Sequence, residues 1–540
     1  MRGFLFVLIL LLVASCSDSE MQEGTVFNYN ESNGISSLDP AFARNLEIMW
    51  ACNQLFDGLV DLDSSLTIQA SLAKSWDISP DGKTYTFHLR NDAYFHESEV
   101  FESKSSAKIV AQDFVYSFSR ILDDKLASPG RWVFNQVDFD TNGGFSAPND
   151  STFVIQLKQA FPPFLGLLTT QYCNVIPEEA VVKYGEDFRS KPVGSGPFQF
   201  AFWLEEVALV FHKNPNYWRK DAQGTQLPYL DAVKIDFVRD MGAEFQGLLK
   251  GEYDFMSGIH ASYKDELLSM TGDLRDNFDD IKFQKTAFIK TDYLGILVDE
   301  DPELGGLAML RDQRVRQAIN YAIDRDKMVR YLRNNTVYPA DKGFIPRGMP
   351  PFDDSAGYGY SYDPDRALAL LEEAGYPSGK GMETIEISTT GDYVDLMEFI
   401  QHELSQIGIP VSINVLQSGP HREMVAKSRL PVFRKSWFAD YADAENFLAL
   451  FYSENFCPSG PNYTHYKSAR FDSLFVKAGH ELNDGIRLKL YREMDSLVME
   501  QSPIIPLYYD QVSHFVRKEI TGLQTNPVNM IDLSTVKKAQ

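Results

Sequence analysis

Apolar and polar residues alternate along some stretches of the chain and recur at helical spacing along others. TYTFHLR (residues 84–90) alternates polar and apolar side chains, which predicts a half-buried strand. AQDFVYSFSRILD (residues 111–123) repeats apolar residues every three or four positions and predicts an amphipathic helix. TFVIQLKQAF (residues 152–161) predicts another strand that ends before two prolines. This mixture indicates an α/β protein.

The second half of the chain carries longer helical patterns. RDQRVRQAINYAIDRDKMVRYL (residues 311–332) predicts one long amphipathic helix. DPDRALALLEEAGYP (residues 363–377) predicts a shorter helix with clear ends. Asp363 can cap its N-terminus, Pro364 suits the first turn, and Gly375 can end it.

A helical pattern lies between two strand patterns further along. METIEIST (residues 382–389) and VSINVL (residues 411–416) predict strands, and VDLMEFIQHELSQIG (residues 394–408) predicts the helix between them. A strand, a helix and a strand of this spacing form a β–α–β unit, which implies a parallel pair of strands.

Composition and charge exclude one class of partner. The chain has 540 residues, of which 44% are hydrophobic, so several structural units are expected. Its net charge is −24, from 51 basic and 75 acidic residues. Phosphate backbones require a basic surface, so we expect no nucleic-acid partner.

The N-terminus has the features of a secretory signal. An apolar run from Phe4 to Val13 is too short to span a bilayer, and VASC ends at Cys16. VASC resembles a bacterial lipobox, which implies a signal peptide over residues 1–15, a lipid on Cys16 and a linker over residues 16–23. No later stretch reaches about 18 apolar residues, so no further membrane span is expected.

Three cysteines follow the lipobox cysteine. Cys52, Cys173 and Cys457 are spaced too widely for a local metal or redox motif. One disulfide is possible in an oxidising compartment, but three thiols cannot all pair within one chain. We expect buried free thiols.

The search for catalytic motifs yields little. SxxK occurs at Ser71 and at Ser105, as in penicillin-binding enzymes, but the SDN and KTG partners of that family are missing. Phosphate-binding glycine loops, HExxH and GxSxG are also absent from the sequence. A cell-wall serine hydrolase is therefore a weak alternative, and we expect a protein that is not an enzyme and needs no cofactor.

One acidic stretch stands out. SWFADYADAENF (residues 436–447) places Asp440, Asp443 and Glu445 close to bulky apolar side chains. Carboxylates are costly to desolvate unless something positive meets them, so a metal ion, a proton or a cationic ligand could be the partner. The spacing is not that of an EF-hand loop, and no metal site is expected.

Ten segments in order resemble those of the family 5 extracellular solute-binding proteins, which serve ABC importers of peptides. The resemblance runs from about residue 24 to the C-terminus. Its segments are SSLDPAFARNLEIMWACNQLFDGLV, SLAKSWDISPDGKTYTFHLRNDAYFHE, DFVYSFSR, GSGPFQF, NPNYW, RVRQAINYAIDRDKMV, YDPDRALALLEEAGYP, SWFADY, NYTHYKSARFDSL and SPIIPLYYDQ.

The resemblance implies an α/β fold of the type II periplasmic-binding-protein kind. Two lobes are joined by a hinge, and a small extra domain is inserted in the first lobe. We expect lobe I to comprise residues 24–67, 190–284 and 505–540, the small domain residues 68–189, and lobe II residues 285–504. Ligand is expected between the lobes, which close over it.

The resemblance also implies site residues. Asp440 matches the aspartate that pairs with a peptide's α-ammonium, and Arg434 matches a position that can meet the ligand carboxylate. Asp443 and Glu445 could tune the field around that ammonium or only face water. The other residues expected along the ligand are Asn45, Leu46, Tyr116, Trp437, Phe438 and Tyr509.

The expected function is capture of short peptides and their delivery to an ABC permease. The protein would act as a monomer, held by its lipid in the bacterial cell envelope, on the periplasmic or extracytoplasmic side, next to permease subunits in the inner membrane. Relatives with this scaffold also carry nickel chelates, haem or oligosaccharides, so a non-peptide ligand is the alternative.

Overall fold

The computed structural model describes residues 24–260, 262–301 and 303–539. The predicted signal peptide, the lipidated Cys16 and the linker over residues 16–23 lie outside the described residues.

Strands and helices are mixed along the described chain, and short 3-10 turns connect many of them. The strands are β1 Val26–Asn30, β2 Val60–Leu62, β3 Ile68–Ala70, β4 Ala73–Ile78, β5 Thr84–Leu89, β6 Phe145–Asn149, β7 Thr152–Gln156, β8 Phe198–Leu204, β9 Ala208–Lys213, β10 Ala232–Asp236, β11 Phe255–Ser257, β12 Ile281–Ile296, β13 Tyr338–Pro339, β14 Ile385–Thr390, β15 Val411–Leu416, β16 Val432–Phe438, β17 Ile504–Arg517, β18 Ile520–Thr521 and β19 Lys537–Lys538. The helices are α1 Leu46–Leu55, α2 Ala111–Ile121, α3 Phe139–Asn142, α4 Phe164–Leu167, α5 Glu178–Tyr184, α6 Met241–Lys250, α7 Lys264–Leu267, α8 Gln313–Tyr321, α9 Arg325–Arg333, α10 Pro364–Glu373, α11 Val394–Gln406, α12 Ser418–Ala426, α13 Glu445–Leu448, α14 Ala469–His480 and α15 Asp484–Gln501.

The largest sheet has 11 strands in the order β15-β14-β16-β12-β17-β11-β1-β10-β9-β8, with β13 also paired to β17. Strands β12 and β17, of 16 and 14 residues, are antiparallel and lie between its two halves. Strands β14 and β15 are parallel with α11 between them, so the predicted β–α–β unit is confirmed.

The pairing of β12 with β17 is interrupted in the middle. Ile281–Ala287 pair regularly with β17, and the register shifts between Ala287 and Thr291 before pairing resumes. Such irregularities bend a strand and change its twist. The two halves of the sheet therefore meet at a bend in backbone that both of them share.

A smaller antiparallel sheet has the order β4-β5-β7-β6, and α2 packs against it. The rings of Phe114 and Phe118 on α2 lie 5.7 and 5.5 Å from that of Phe153 on β7. The same buried cluster extends to Phe27 and Val233 in the large sheet. The small sheet therefore shares one apolar core with the β1–β10 half of the large one.

Two of the predicted elements differ from the structure. The helix predicted over residues 311–332 is two helices, because α8 ends at Tyr321 and Asp324 begins α9 by accepting a hydrogen bond from the Lys327 N–H at 2.9 Å. The strand predicted over residues 152–161 already ends at Gln156. The caps predicted for α10 are confirmed: Asp363 accepts from the Arg366 N–H, and Gly375 has a φ of +92°.

The cysteines behave as expected. Cys52, Cys173 and Cys457 are unpaired and buried. Among the described residues, no helix has both the length and the apolar character that crossing a membrane requires.

Candidate ligand-binding site

A cavity of about 90 Å³ lies among α1, the β2 region, the end of β16 and the C-terminal segment, and we call it the main cavity. Helix α1 contributes Leu46, Met49 and Asn53, which share a helical face because they are three and four positions apart. The last residue of β16, Phe438, and Asp440 from the segment after it line the cavity as well. Elements distant in sequence thus form one site.

Asp440 follows β16 directly and is held by an asparagine. The Asn446 side-chain N–H donates to Asp440 Oδ2 at 3.2 Å, and the Trp437 indole N–H donates to Asn446 Oδ1 at 2.8 Å. Among the described residues, no cationic side chain forms an ion pair with Asp440. The carboxylate is therefore oriented, but its charge is not neutralised.

The electrostatics of Asp440 indicate what the cavity can bind. Solvent reaches the Asp440 side chain, yet the protein that surrounds it removes much of its hydration and raises the pKa of the carboxyl. The hydrogen bond from Asn446 lowers the pKa, but by less. A bound cation would favour the ionised carboxylate and regain the lost solvation. In the part of the chain that the structure describes, no cluster of three or more His, Cys, Asp or Glu residues could hold a metal ion.

Asp443 and Glu445 do not line this cavity. The Tyr441 hydroxyl donates to Glu445, and Arg487 on α15 lies 3.8 Å from Asp443 Oδ2. Burial raises the pKa of Glu445 to about 7. Both carboxylates are half-buried and have partners within the protein, and an effect of either on the field at Asp440 stays a prediction.

Arg434 already has a partner. Its guanidinium forms a buried ion pair with Asp292, which lies opposite Ser436 on the neighbouring strand β12, and it stacks 3.3 Å from the centre of the Tyr393 ring. Asp292 is also 3.4 Å from Lys290 Nζ. The role of Arg434 in binding a ligand carboxylate stays a prediction, and the ligand would have to share that charge with Asp292.

The other predicted site residues are only partly brought together. Leu46 and Phe438 line the main cavity with Asp440, whereas Asn45 caps α1 by accepting from the Ile48 N–H at 3.4 Å. The Trp437 indole points to Asn446, as described above. The buried Tyr509 hydroxyl donates to the Gly343 carbonyl at 2.8 Å. Tyr116 lines a separate open cavity of about 1020 Å³.

Sequence reasoning missed a group of acidic residues at the same cavity. Asp61 lies in β2, Asp63 comes from the segment that joins β2 to β3, and Asp532 comes from the C-terminal segment. The only sequence signal is the spacing in VDLD, and acids in a short hairpin ordinarily face water. Their convergence depends on contacts between segments about 470 residues apart, which no local pattern reveals.

Comparison with known proteins places this architecture in a family. Residues 67–456 match the model described as bacterial extracellular solute-binding proteins, family 5 Middle. The chain is 26% identical over 493 residues to the dipeptide-binding protein of Escherichia coli (strain K12), which covers 88% of this chain and 87% of that relative.

Solved structures share the fold. The periplasmic binding protein DppA from Helicobacter pylori in complex with the peptide STSA has a TM-score of 0.77 and 26% identity, covering 96% of this chain and 98% of that one. NikZ from Campylobacter jejuni in complex with Ni(L-His) has a TM-score of 0.73 and 21% identity, covering 95% and 97%. The chain therefore belongs to the bacterial extracellular solute-binding proteins of family 5, with their two-lobed α/β fold.

Proposed function

We propose that this protein is a receptor that captures short peptides between two lobes and delivers them to an ABC permease. The observation that carries the proposal is the Asp440 carboxylate, which is oriented by Asn446 in the main cavity and has no cationic partner among the described residues. A peptide's α-ammonium is a cation of the right size and charge for that position.

The rest of the cavity suits a peptide backbone. Leu46, Met49 and Phe438 give it apolar walls, and β16 ends at its edge with the sequence that contains Asp440. Peptides held mainly through their backbone are recognised with little dependence on side chains. At about 90 Å³ the cavity is small for a ligand site, so the lobes would open to admit a peptide and close again over it.

The proposal includes the division of the chain and its location. Lobe I would comprise residues 24–67, 190–284 and 505–540, with the small domain over residues 68–189 and lobe II over residues 285–504. A lipid on Cys16 would hold a monomeric receptor on the periplasmic or extracytoplasmic side of the cell envelope, where it would meet its permease. The receptor would bind and release its ligand without a chemical step.

A small metal chelate is the second candidate ligand. The likeness to NikZ favours it, since that structure holds Ni(L-His) on the same fold. Such a chelate brings its own ligands to the metal, so it does not require a cluster of protein ligands. A free ammonium group, in contrast, is required by the role proposed for Asp440, and the two candidates can be separated on that basis.

Isothermal titration calorimetry with Ala-Ala and N-acetyl-Ala-Ala tests the proposal. Wild-type protein should bind only the free dipeptide, and Asp440→Asn should lose affinity by about 100-fold or more, since stranding one partner of a buried ion pair costs about 3–5 kcal/mol. Asp440→Glu, which keeps the charge, should retain measurable binding. Equal binding of the acetylated peptide, or normal binding by Asp440→Asn, would refute the role of Asp440.

A further inference from the structure

A smaller pocket of about 30 Å³ opens from the main cavity, and we call it the side pocket. The two spaces share walls formed by Asn53, Asp61, Thr169, Gln171 and Asp532. A group anchored at Asp440 therefore has a second space directly beside it.

The side pocket is lined by more negative than positive side chains. Three carboxylates line it, from Asp57, Asp61 and Asp532, against the single guanidinium of Arg219. Arg219 lies 3.4 Å from Asp61, and its neighbours Tyr217, Asp532, Asp61 and Asp57, named from the largest effect to the smallest, raise its pKa. Burial raises the pKa of Asp57 to about 6 and raises that of Asp61, but three carboxylates against one guanidinium leave an excess of negative charge at neutral pH.

Two of the three carboxylates remain available to a ligand. Asp57 accepts the Tyr217 hydroxyl and the Trp218 indole N–H, each at 3.1 Å. Asp532 accepts one backbone N–H through Oδ1, at 2.8 Å, and Asp61 has the single long contact with Arg219 besides the N–H of the next residue. Asp61 and Asp532 are also the two carboxylates that face both spaces.

Buried polar side chains without partners complete the pocket. Ser71 and Asn174 are 2% and 9% exposed, and neither side chain has a hydrogen-bond partner among the described residues. Gln171, 7% exposed, has only a contact between its Nε2 and the Met530 sulfur, at 3.9 Å. None of these three side chains has a polar atom that is both fully buried and unpaired, so their polar atoms stay open to the pocket and could bond a polar group that enters it.

We propose that the side pocket receives the positively charged side chain of the peptide's N-terminal residue, so that the preferred ligands are peptides that begin with lysine or arginine. This inference rests on the proposed function, because it assumes that Asp440 holds the α-ammonium. Asp61 and Asp532 supply the charge, and oxygens of Ser71, Gln171 and Asn174 accept the side chain's N–H groups.

The charges decide between this ligand and its alternatives. An acidic side chain could approach Arg219 but would enter a space lined by three carboxylates, so it is disfavoured. An apolar side chain would leave Ser71 and Asn174 buried without partners, which is costly. Of the three kinds of side chain, only a cationic one would both neutralise the excess negative charge and donate hydrogen bonds to the unpaired polar groups.

Calorimetric titration of the wild-type protein with Lys-Ala, norleucyl-Ala and Glu-Ala tests the inference. Norleucine matches lysine in length without the charge. We expect Lys-Ala to bind at least about tenfold more tightly than norleucyl-Ala, with Glu-Ala weakest, and the preference to decrease at high salt. Equal affinities for Lys-Ala and norleucyl-Ala would overturn the inference without affecting the proposed function.

Substitutions of Asp61 and Asp532 test whether these two residues cause the preference for a cationic side chain. In Asp61→Asn/Asp532→Asn the ratio of the two affinities should fall to about threefold or less. Asp63→Asn is the matched control, since Asp63 lines the main cavity but not the side pocket, and it should keep the ratio. A double variant that retains the full preference overturns the inference. If no peptide with a free amino group binds the wild-type protein, the proposed function fails and this inference fails with it.

Discussion

Three carboxylates within six residues of one another have different environments. Asp440 faces a cavity and has no cationic partner in the described part of the chain, Asp443 lies near Arg487, and Glu445 accepts the Tyr441 hydroxyl. The difference arises from residues that other segments bring to each position. A carboxylate becomes a candidate for ligand binding only where the fold leaves its charge unmet.

A second cluster of polar residues lies around Cys457. His465 Nδ1 is 2.6 Å from Asp299 Oδ2, and His465 Nε2 is 3.4 Å from Cys457 Sγ and 2.8 Å from Ser428 Oγ. Burial alone would lower the pKa of His465, but hydrogen bonds to Cys457 and Asp299 outweigh it and hold the pKa at about 9. For Cys457, burial raises the thiol pKa and the hydrogen bonds lower it by more. The imidazole is therefore charged at neutral pH.

His465→Gln should destabilise the protein in a pH-dependent way. The pKa of His465 is higher in the folded than in the unfolded protein, so its stabilisation is complete below about pH 6.5 and is lost as the pH rises through about 9. We expect a loss of about 2 kcal/mol at pH 6, typical of a charged hydrogen bond, and a smaller loss at pH 9.5. Thermal unfolding at both pH values measures the difference.

His212→Gln is the control for that comparison. His212 is exposed on β9, so its replacement should change the melting temperature little at either pH. A destabilisation by His465→Gln that is the same at pH 6 and pH 9.5 would contradict the charged state of His465.

At this scale the sequence predicted part of the site. Asp440, Leu46 and Phe438 were expected and do line the main cavity. The ion pair of Arg434 with Asp292 and the convergence of Asp61 with Asp532 were not foreseen. Local pattern identifies which residues could bind, but partners from distant strands decide which of them remain free to do so.

At the scale of elements, the break between α8 and α9 shows how one side chain divides a continuous amphipathic pattern. The apolar spacing runs on through residues 311–332, but Asp324 adopts an extended conformation and caps α9. Aspartate favours this position because its side chain competes for backbone N–H groups. Periodicity predicted the helical content here, whereas the position of the break depends on a cap that periodicity does not register.

Asp324→Ala should destabilise the protein by about 1 kcal/mol, the usual cost of losing an N-cap. Unfolding in urea, followed by circular dichroism, measures the change. Asp326→Ala is the matched control, because Asp326 is exposed in the first turn of the same helix and contributes only to its dipole, with a cost of a few tenths of a kcal/mol. Equal effects of the two substitutions would show that Asp324 does not act as a cap.

The whole molecule is connected through shared elements. Strands β12 and β17 belong to both halves of the large sheet, and one apolar core joins the β1–β10 half to the small sheet. The fold class followed from the alternation of strand and helix patterns and from the family resemblance. The continuity of the sheet could not be predicted in the same way, because the pairing of β12 with β17 joins segments more than 200 residues apart.

These shared elements predict cooperative unfolding. Differential scanning calorimetry of the ligand-free protein should give one transition, since neither half can lose β12 or β17 without affecting the other. A peptide at about 100 times its dissociation constant should move that whole transition upward, corresponding to about 2.7 kcal/mol of stabilisation. Two resolved transitions, of which only one responds to peptide, would contradict this coupling.

The ion pair between Arg434 and Asp292 affects which part of a peptide the proposed receptor would recognise. A ligand held at Asp440 by its first residue would find the guanidinium at the other end already neutralised by Asp292. Such a receptor would recognise a peptide mainly by its first residue, because a ligand carboxylate would have to share the charge of Arg434 with Asp292. Peptides of different length would then be similar cargo, and the range of peptides taken up would depend on which amino termini the proteases outside the cell produce.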